Sequence, residues 1–225
     1  QTEVARDRWD ISVYYTVDPD ASSHGKTNAK HGAFLSSEEL MNFDSTFFKM
    51  KSQEAAVMVP EQRLTLRLGT TCLLEAGFSL TQLQGCMIDT YVGDCSSESR
   101  NYVTMNPFQQ RGTASGVTAN RLAYCLGLRG ESCGFDTACS SSLVALSHAH
   151  GKLRSSKWGV SERPGAVIVG VRVLLGPDGF VGLGAGGFLG IHGRCLTFDS
   201  SANGFGRGEG CSSVFLSPTD EEMEP

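Results

Sequence analysis

Residues 166–171, Ala-Val-Ile-Val-Gly-Val, constrain the fold more than any other part of the chain. The run is continuously apolar, has the length of a strand and lies between turn signals. A strand with one wet face alternates apolar and polar residues, whereas an unbroken run suits a strand buried on both faces. Such strands belong to largely parallel sheets covered by helices. The flanking sequence agrees. A helix is predicted from Pro60 to about Ala76: proline suits a first helical position, Leu64, Leu68 and Cys72 recur on one face, and Gly77 supplies a stop. Residues 86–92 read as a strand. A second helix is predicted over about 114–128, with Thr113 as cap, Gly130 past its end, and Val117, Tyr124 and Leu128 on one face. Residues 131–137 read as a strand, and 140–154 as a helix with Leu143, Leu146, His150 and Leu153 in register. Residues 212–216 form a last strand, ended by Pro218, and Ser36, Ser37, Glu38 and Glu39 open a short helix before Leu40. The first thirty residues are polar, with little regular structure. Alternating strands and helices make this an α/β layered domain, with no internal repeat and no interdomain linker.

Composition narrows the function. Acidic residues outnumber basic ones 24 to 19 in 225 residues, for a net charge of −5, which argues against a nucleic-acid binder. No apolar stretch approaches the length of a membrane span. No leader segment opens the chain, so a cytoplasmic location is expected, with a plastid as the other option. The chain begins at Gln1 rather than Met, which fits a fragment. The eight cysteines form no CxxC pair, and no histidine stands at zinc-ligand spacing from a cysteine cluster. They are expected to be mostly buried free thiols in a reducing compartment, with no metal and no directly bound cofactor.

Cys139, within Asp136-Thr137-Ala138-Cys139-Ser140-Ser141-Ser142-Leu143, is the candidate nucleophile. It lies where a predicted strand turns into a predicted helix. The first turn of a helix has unpaired N–H groups and the positive end of the dipole. A thiol there is favoured as thiolate, the nucleophilic form. The small neighbours Ala138, Ser140 and Ser141 leave room for a carbonyl beside the sulfur, and the Cys139 N–H is a candidate oxyanion donor. A cysteine at such a junction also occurs simply as a buried packing residue.

The octapeptide 136–143 resembles the active-site signature of ketosynthase domains, above all those of type I polyketide synthases. The resemblance extends along the chain. It takes in Arg8-Trp9-Asp10 with Tyr14-Tyr15, Gly25-Lys26-Thr27 with His31-Gly32-Ala33-Phe34-Leu35, and Asn42-Phe43-Asp44 with Phe47-Phe48 and Glu54-Ala55. It continues through Met58-Val59-Pro60-Glu61-Gln62-Arg63-Leu64, Ala119-Asn120-Arg121-Leu122, Gly193-Arg194-Cys195 with Thr197-Phe198-Asp199, and Gly208-Glu209-Gly210-Cys211. It implies a thiolase-like fold, of which this chain supplies most of the amino-terminal half, without the first strand. It also implies acyl transfer to Cys139 from the phosphopantetheine thiol of an acyl carrier protein. Decarboxylative Claisen condensation with a malonyl-type thioester follows, in a protein that is typically a homodimer.

The chain departs from the family pattern in several places. The two family histidines, in HGTGT-like and NIGH-like motifs, belong on the carboxyl side of the Gly208–Cys211 block, and the sequence ends at Pro225. His148 and His150 read as one solvated and one packing position, and His24, His31 and His192 as loop residues. Val59 and Asn203 stand where aspartates are common, and Arg172 where asparagine is. The expectation is a piece of a larger condensing enzyme that is inactive and poorly folded alone. Three alternatives stay open: another thiolase-superfamily enzyme acting on acyl-coenzyme A, a non-catalytic acyl-binding or dimer-assembly protein, and a cysteine hydrolase.

Overall fold

In the computed structural model, residues 1–18, 20–95, 115–155 and 163–218 are described. They divide into two compact units, each assembled from separated stretches of chain. One comprises residues 1–18, 20–39 and 173–210, and the other residues 40–95, 115–155, 163–172 and 211–218. Among the described residues the chain crosses from one unit to the other repeatedly.

The smaller unit holds a three-stranded sheet of β1 (Thr2–Glu3), β2 (His31–Ala33) and β6 (Arg207–Gly208), with β2 in the middle. β1 runs antiparallel to β2, and β6 parallel to it. Its core is Val4, Ala29, Leu174, Phe180 and Leu189, walled by Trp9, Ile11, Phe34 and Leu183. Trp9 meets Phe34 and Phe180 edge-on, with centroids 6.4 and 5.6 Å apart. The residues of Arg8-Trp9-Asp10 and Gly208-Glu209-Gly210 have a structural use here. The Glu209 carboxylate is fully buried and pairs with Arg8 at 3.2 Å. It also accepts from the N–H groups of Leu35 at 2.8 Å and Leu174 at 3.0 Å. One buried anion thus ties together three chain segments far apart in sequence. The short helix α1 (Ser37–Met41) begins as expected: the Ser36 hydroxyl accepts from the Glu39 N–H, and the Glu39 carboxylate accepts from the Ser36 N–H.

The larger unit contains a four-stranded sheet in the order β4 (Ser132–Phe135), β3 (Asp89–Asp94), β5 (Ala166–Arg172), β7 (Gly210–Leu216). β3 is parallel to β4 and β5, with Tyr91 opposite both Cys133 and Ile168. The 166–171 run forms most of β5, and all of it except the half-buried Gly170 is buried as predicted. Helices cover the sheet. Besides α2 (Ser52–Ala56) and α4 (Leu80–Leu83), they are α3 (Pro60–Glu75), α5 (Thr118–Leu126) and α6 (Ser141–Ser155). Tyr91, Ala166 and Ile168 pack with Ala145 and Ala149 of α6. Val169, on the opposite face of β5 from Ile168, approaches Gly69 of α3, which also lies against Leu122 of α5. Arg172 donates to the Cys95 carbonyl at 2.7 Å, joining the ends of β5 and β3.

Several boundaries and faces differ from expectation. β3 starts at Asp89, because Cys86 closes a turn on the Leu83 carbonyl. The predicted 114–128 helix is a single 3₁₀ turn followed by α5, stopped at Gly127 in the left-handed conformation. Thr113 and Ala114 lie outside the described residues. Tyr124 is not on the buried face but 87% exposed, and α5 buries Ala119, Leu122, Ala123 and Leu126 instead. On α3, Leu66 and Leu73 are the fully buried leucines besides Leu64, while Leu68 and Cys72 are half-buried. β4 ends at Phe135, since the following residues enter a tight turn. α7 (Asp178–Ala185) of the smaller unit, with Phe180 fully buried, is an element the sequence reading lacked.

Candidate functional site

Cys139 sits in the turn joining β4 to α6, with its side chain exposed. Ala138, immediately before it, has φ of 57°. A left-handed backbone costs a residue with a Cβ roughly 1–2 kcal/mol, so neighbouring groups must hold it there. Three side chains do so. The Asp136 carboxylate accepts from the Ala138 N–H at 3.3 Å. The Ser140 hydroxyl lies 2.7 Å from the Thr137 carbonyl and 2.9 Å from the Thr137 hydroxyl. The Ser141 hydroxyl accepts from the Thr137 N–H at 2.9 Å and donates to the Ala138 carbonyl at 2.6 Å. The thiol therefore projects from a pinned turn, two residues ahead of a 15-residue helix whose last turn carries Lys152 and Arg154. The turn that carries Cys139 thus lies at the positive end of the α6 dipole.

Two glycines set how closely α6 approaches the sheet. A Cβ on Gly93 of β3 would lie 2.5 Å from the Ser142 nitrogen and 2.6 Å from the Ser141 carbonyl carbon. A Cβ on Gly170 of β5 would lie 2.8 Å from the Ser142 Cβ. Only bare backbone lets the head of the helix rest on the strands. One turn further along, Ser142, Leu143, Leu146, Ile168, Gly170, Ser212, Ser213 and Val214 line a cleft of about 220 Å³. Its apolar walls with hydroxyls among them suit an uncharged chain better than an ion. Leu143 is 66% exposed rather than packed.

The other thiols differ from Cys139. All eight cysteines are unpaired; six are half-buried, while Cys139 and Cys195 are exposed, so the expected mostly buried set is corrected. Burial pushes the Cys125 thiol up to about 11 and the Cys211 thiol up to about 12, and it raises Cys72 as well. These thiols stay protonated at neutral pH. Cys195, in the smaller unit, accepts from the Gly206 N–H at 3.2 Å.

The histidines take other places. His148 packs against Tyr91 and Phe135, with ring centroids 5.0 and 5.2 Å apart, and reaches Glu131 at 3.4 Å. Both histidines are exposed, but it is His148, not His150, that carries these ring contacts, so the expected packing role of His150 falls to His148. His31 is a strand residue of β2, while His24 lies in a 3₁₀ turn and His192 in a turn. Among the described residues, no group of three or more His, Cys, Asp or Glu is arranged to hold a metal ion. No helix among them is long and apolar enough to cross a membrane. The sequence reading treated Ser141 only as a small neighbour and did not pair Arg8 with Glu209. Both signals were present as residue types, but their partners are fixed by folding.

The family model described as beta-ketoacyl synthase, N-terminal domain, matches residues 1–222. The Highly reducing polyketide synthase 40 of Fusarium pseudograminearum is 40% identical over 223 residues, covering 96% of this chain and 8% of that protein. A phenolphthiocerol/phthiocerol polyketide synthase of Mycobacterium tuberculosis is 36% identical over 218 residues, covering 95% of this chain and 14% of its own length. Among solved structures, the ketosynthase from module 6 of the Bacillus subtilis bacillaene synthase superposes with a TM-score of 0.82 at 29% identity, over 96% of this chain and 34% of that one. An oxazolomycin ketosynthase domain from Streptomyces albus gives 0.82 at 32% identity, over 96% and 38%. The fold is therefore thiolase-like, and the chain spans a small part of the relatives and about a third of the solved domains. From its first strand to its last, the chain belongs to the beta-ketoacyl synthase family, as the N-terminal domain of a ketosynthase of the type I polyketide synthase kind.

Proposed function

We propose that Cys139 is the acyl-carrying nucleophile of a polyketide-forming condensing enzyme. The observation that carries this reading is an exposed thiol on a pinned left-handed turn, at the positive end of a 15-residue helix. In the proposed reaction the Cys139 sulfur attacks the carbonyl carbon of an acyl thioester. A new S–C bond forms, the pantetheine S–C bond breaks, and the departing sulfur leaves with its electron pair and ends as a thiol with the proton lost by Cys139. The Cys139 N–H serves as one donor to the transient oxyanion. A malonyl-type thioester then loses carbon dioxide, and its carbanion attacks the cysteine-bound acyl group. The product is a β-ketoacyl thioester, and the Cys139 sulfur is released. This second half-reaction uses the two histidines that the family resemblance places after the Gly208–Cys211 block.

The partner is an acyl carrier protein, which brings the phosphopantetheine arm, so this chain holds no cofactor of its own. A homodimer is part of the same proposal. β4 and β7 are the end strands of their sheet among the described residues, and an end strand is where a second copy could add by backbone pairing.

The test uses the full-length natural protein. Incubated with a short acyl-pantetheine thioester and digested, it should carry the acyl mass on the Cys139 peptide. Cys139→Ala should carry none there and form no condensation product with a malonyl thioester. Equal acylation of the variant, or acylation of another residue alone, overturns the assignment.

A further inference from the structure

We infer that Ser141 is a positioning residue for this acyl transfer, its hydroxyl clamping the left-handed turn that aims Cys139; the inference rests on Cys139 being the nucleophile. Ser141 is 4% exposed, and its hydroxyl binds the peptide groups on both sides of the Thr137–Ala138 link. It accepts from the Thr137 N–H at 2.9 Å and donates to the Ala138 carbonyl at 2.6 Å. Ala138 is the residue held at φ 57°. The exposed Asp136 carboxylate and Ser140 hydroxyl also hold the turn, but water can replace them, whereas the buried Ser141 site leaves water little access. Without this clamp, alanine returns to the right-handed region that its Cβ prefers. The peptide on either side rotates, and the sulfur swings away from its line of attack.

Acylation depends on that line, because the sulfur must approach a carbonyl carbon held by other groups, and small misplacements are costly. Alkylation by iodoacetamide does not. A small reagent reaches an exposed thiol from any open side, an S–C bond forms, iodide leaves and the thiol proton goes to solvent. A positioning role therefore separates the two reactions, whereas a general loss of structure or of thiol reactivity moves both.

The experiment compares the full-length protein with its Ser141→Ala, Ala138→Gly and doubly substituted forms. Acylation by a short acyl-pantetheine thioester and alkylation by iodoacetamide are both followed on the Cys139 peptide by mass. Ser141→Ala is expected to lower the limiting acylation rate roughly 10- to 100-fold. The half-saturating thioester concentration and the alkylation rate should stay within about twofold, since neither depends on the aim of the sulfur. Glycine adopts positive φ without penalty, so Ala138→Gly should restore severalfold of the rate lost in Ser141→Ala. The inference is overturned if Ser141→Ala acylates at the unsubstituted rate, if alkylation slows in parallel, or if the double variant is no faster than Ser141→Ala. Should Ser141→Ala fail to fold, the double variant decides: folding and acylation support the clamp, and failure of either overturns it. Absence of acylation in the unsubstituted protein removes the nucleophile assignment and this inference with it, while the other failures strike Ser141 alone.

Discussion

Replacing Gly93 by alanine tests how the sheet holds the head of α6. The added Cβ would sit 2.5 Å from the Ser142 nitrogen and 2.6 Å from both the Ser141 carbonyl carbon and the Ser142 Cα. All three neighbours are backbone atoms, so no rotamer change relieves the contact. Since non-bonded carbons rest at about 3.5–4.0 Å, the helix must retreat by roughly 1 Å. Overpacking of this kind costs about 1–3 kcal/mol. The ~2–4 °C per kcal/mol of a 150–250-residue protein is an upper bound for the longer full-length protein, so the melting temperature should fall by no more than about 12 °C. The same retreat carries the Cys139 turn with it, and a ~1 Å misplacement is expected to slow acylation about 100-fold. Gly134→Ala is the control, because a Cβ on Gly134 meets nothing within 4 Å. Melting by scanning fluorimetry and timed acylation of the Cys139 peptide read both effects in the full-length protein. A Gly93→Ala variant that melts and acylates like the unsubstituted protein refutes the close-approach argument, as does equal damage from Gly134→Ala.

Further expectations concern the core, the buried anion and the thiols. Leu122→Ala should cost about 2–5 kcal/mol in a chemical-denaturation experiment. Tyr124→Ala on the same helix should stay within about 0.5 kcal/mol, because Leu122 is fully buried and Tyr124 is 87% exposed. Glu209→Ala removes the buried carboxylate that pairs with Arg8 and leaves the Leu35 and Leu174 N–H groups without their acceptor, so a loss of about 3–5 kcal/mol is expected in the same assay. A loss under about 1 kcal/mol would contradict that account. Brief alkylation of the native protein at neutral pH should label Cys139 and Cys195 first and Cys125 and Cys211 last, read by peptide mapping. Burial raises the last two thiols to about 11 and about 12. The folded state then keeps protons that the unfolded chain releases from about pH 9 upward, so stability should fall as pH rises through that range. A melting temperature that holds or rises between pH 8 and about 10.5 would count against this.

The sequence by itself determined the fold class and the position of the candidate nucleophile. An apolar run as unbroken as 166–171 has few uses other than a strand covered on both faces, and β5 is that strand. Pro60 and Gly77 bracketed α3 to within a residue or two, since proline and glycine act through their own backbone geometry wherever they stand. The place of Cys139 between a strand, a tight turn and a helix was legible locally, while its reading as a nucleophile came from the resemblance of residues 136–143 to the ketosynthase signature. Contacts between distant segments were not legible. That Gly93 seats the helix carrying Ser142, or that Arg8 neutralises Glu209, depends on which segments the sheet brings together. A residue-by-residue reading holds no information on that. Tyr124 shows the same limit. Periodicity marked it as part of an apolar stripe, but tertiary packing chose the neighbouring stripe of Ala119, Leu122 and Ala123, whose smaller side chains let α5 approach α3 at Gly69. Local chemistry fixed the elements and the thiol; the packing of remote backbone, through glycine gaps and buried charge, decided how closely the helix and its cysteine are held.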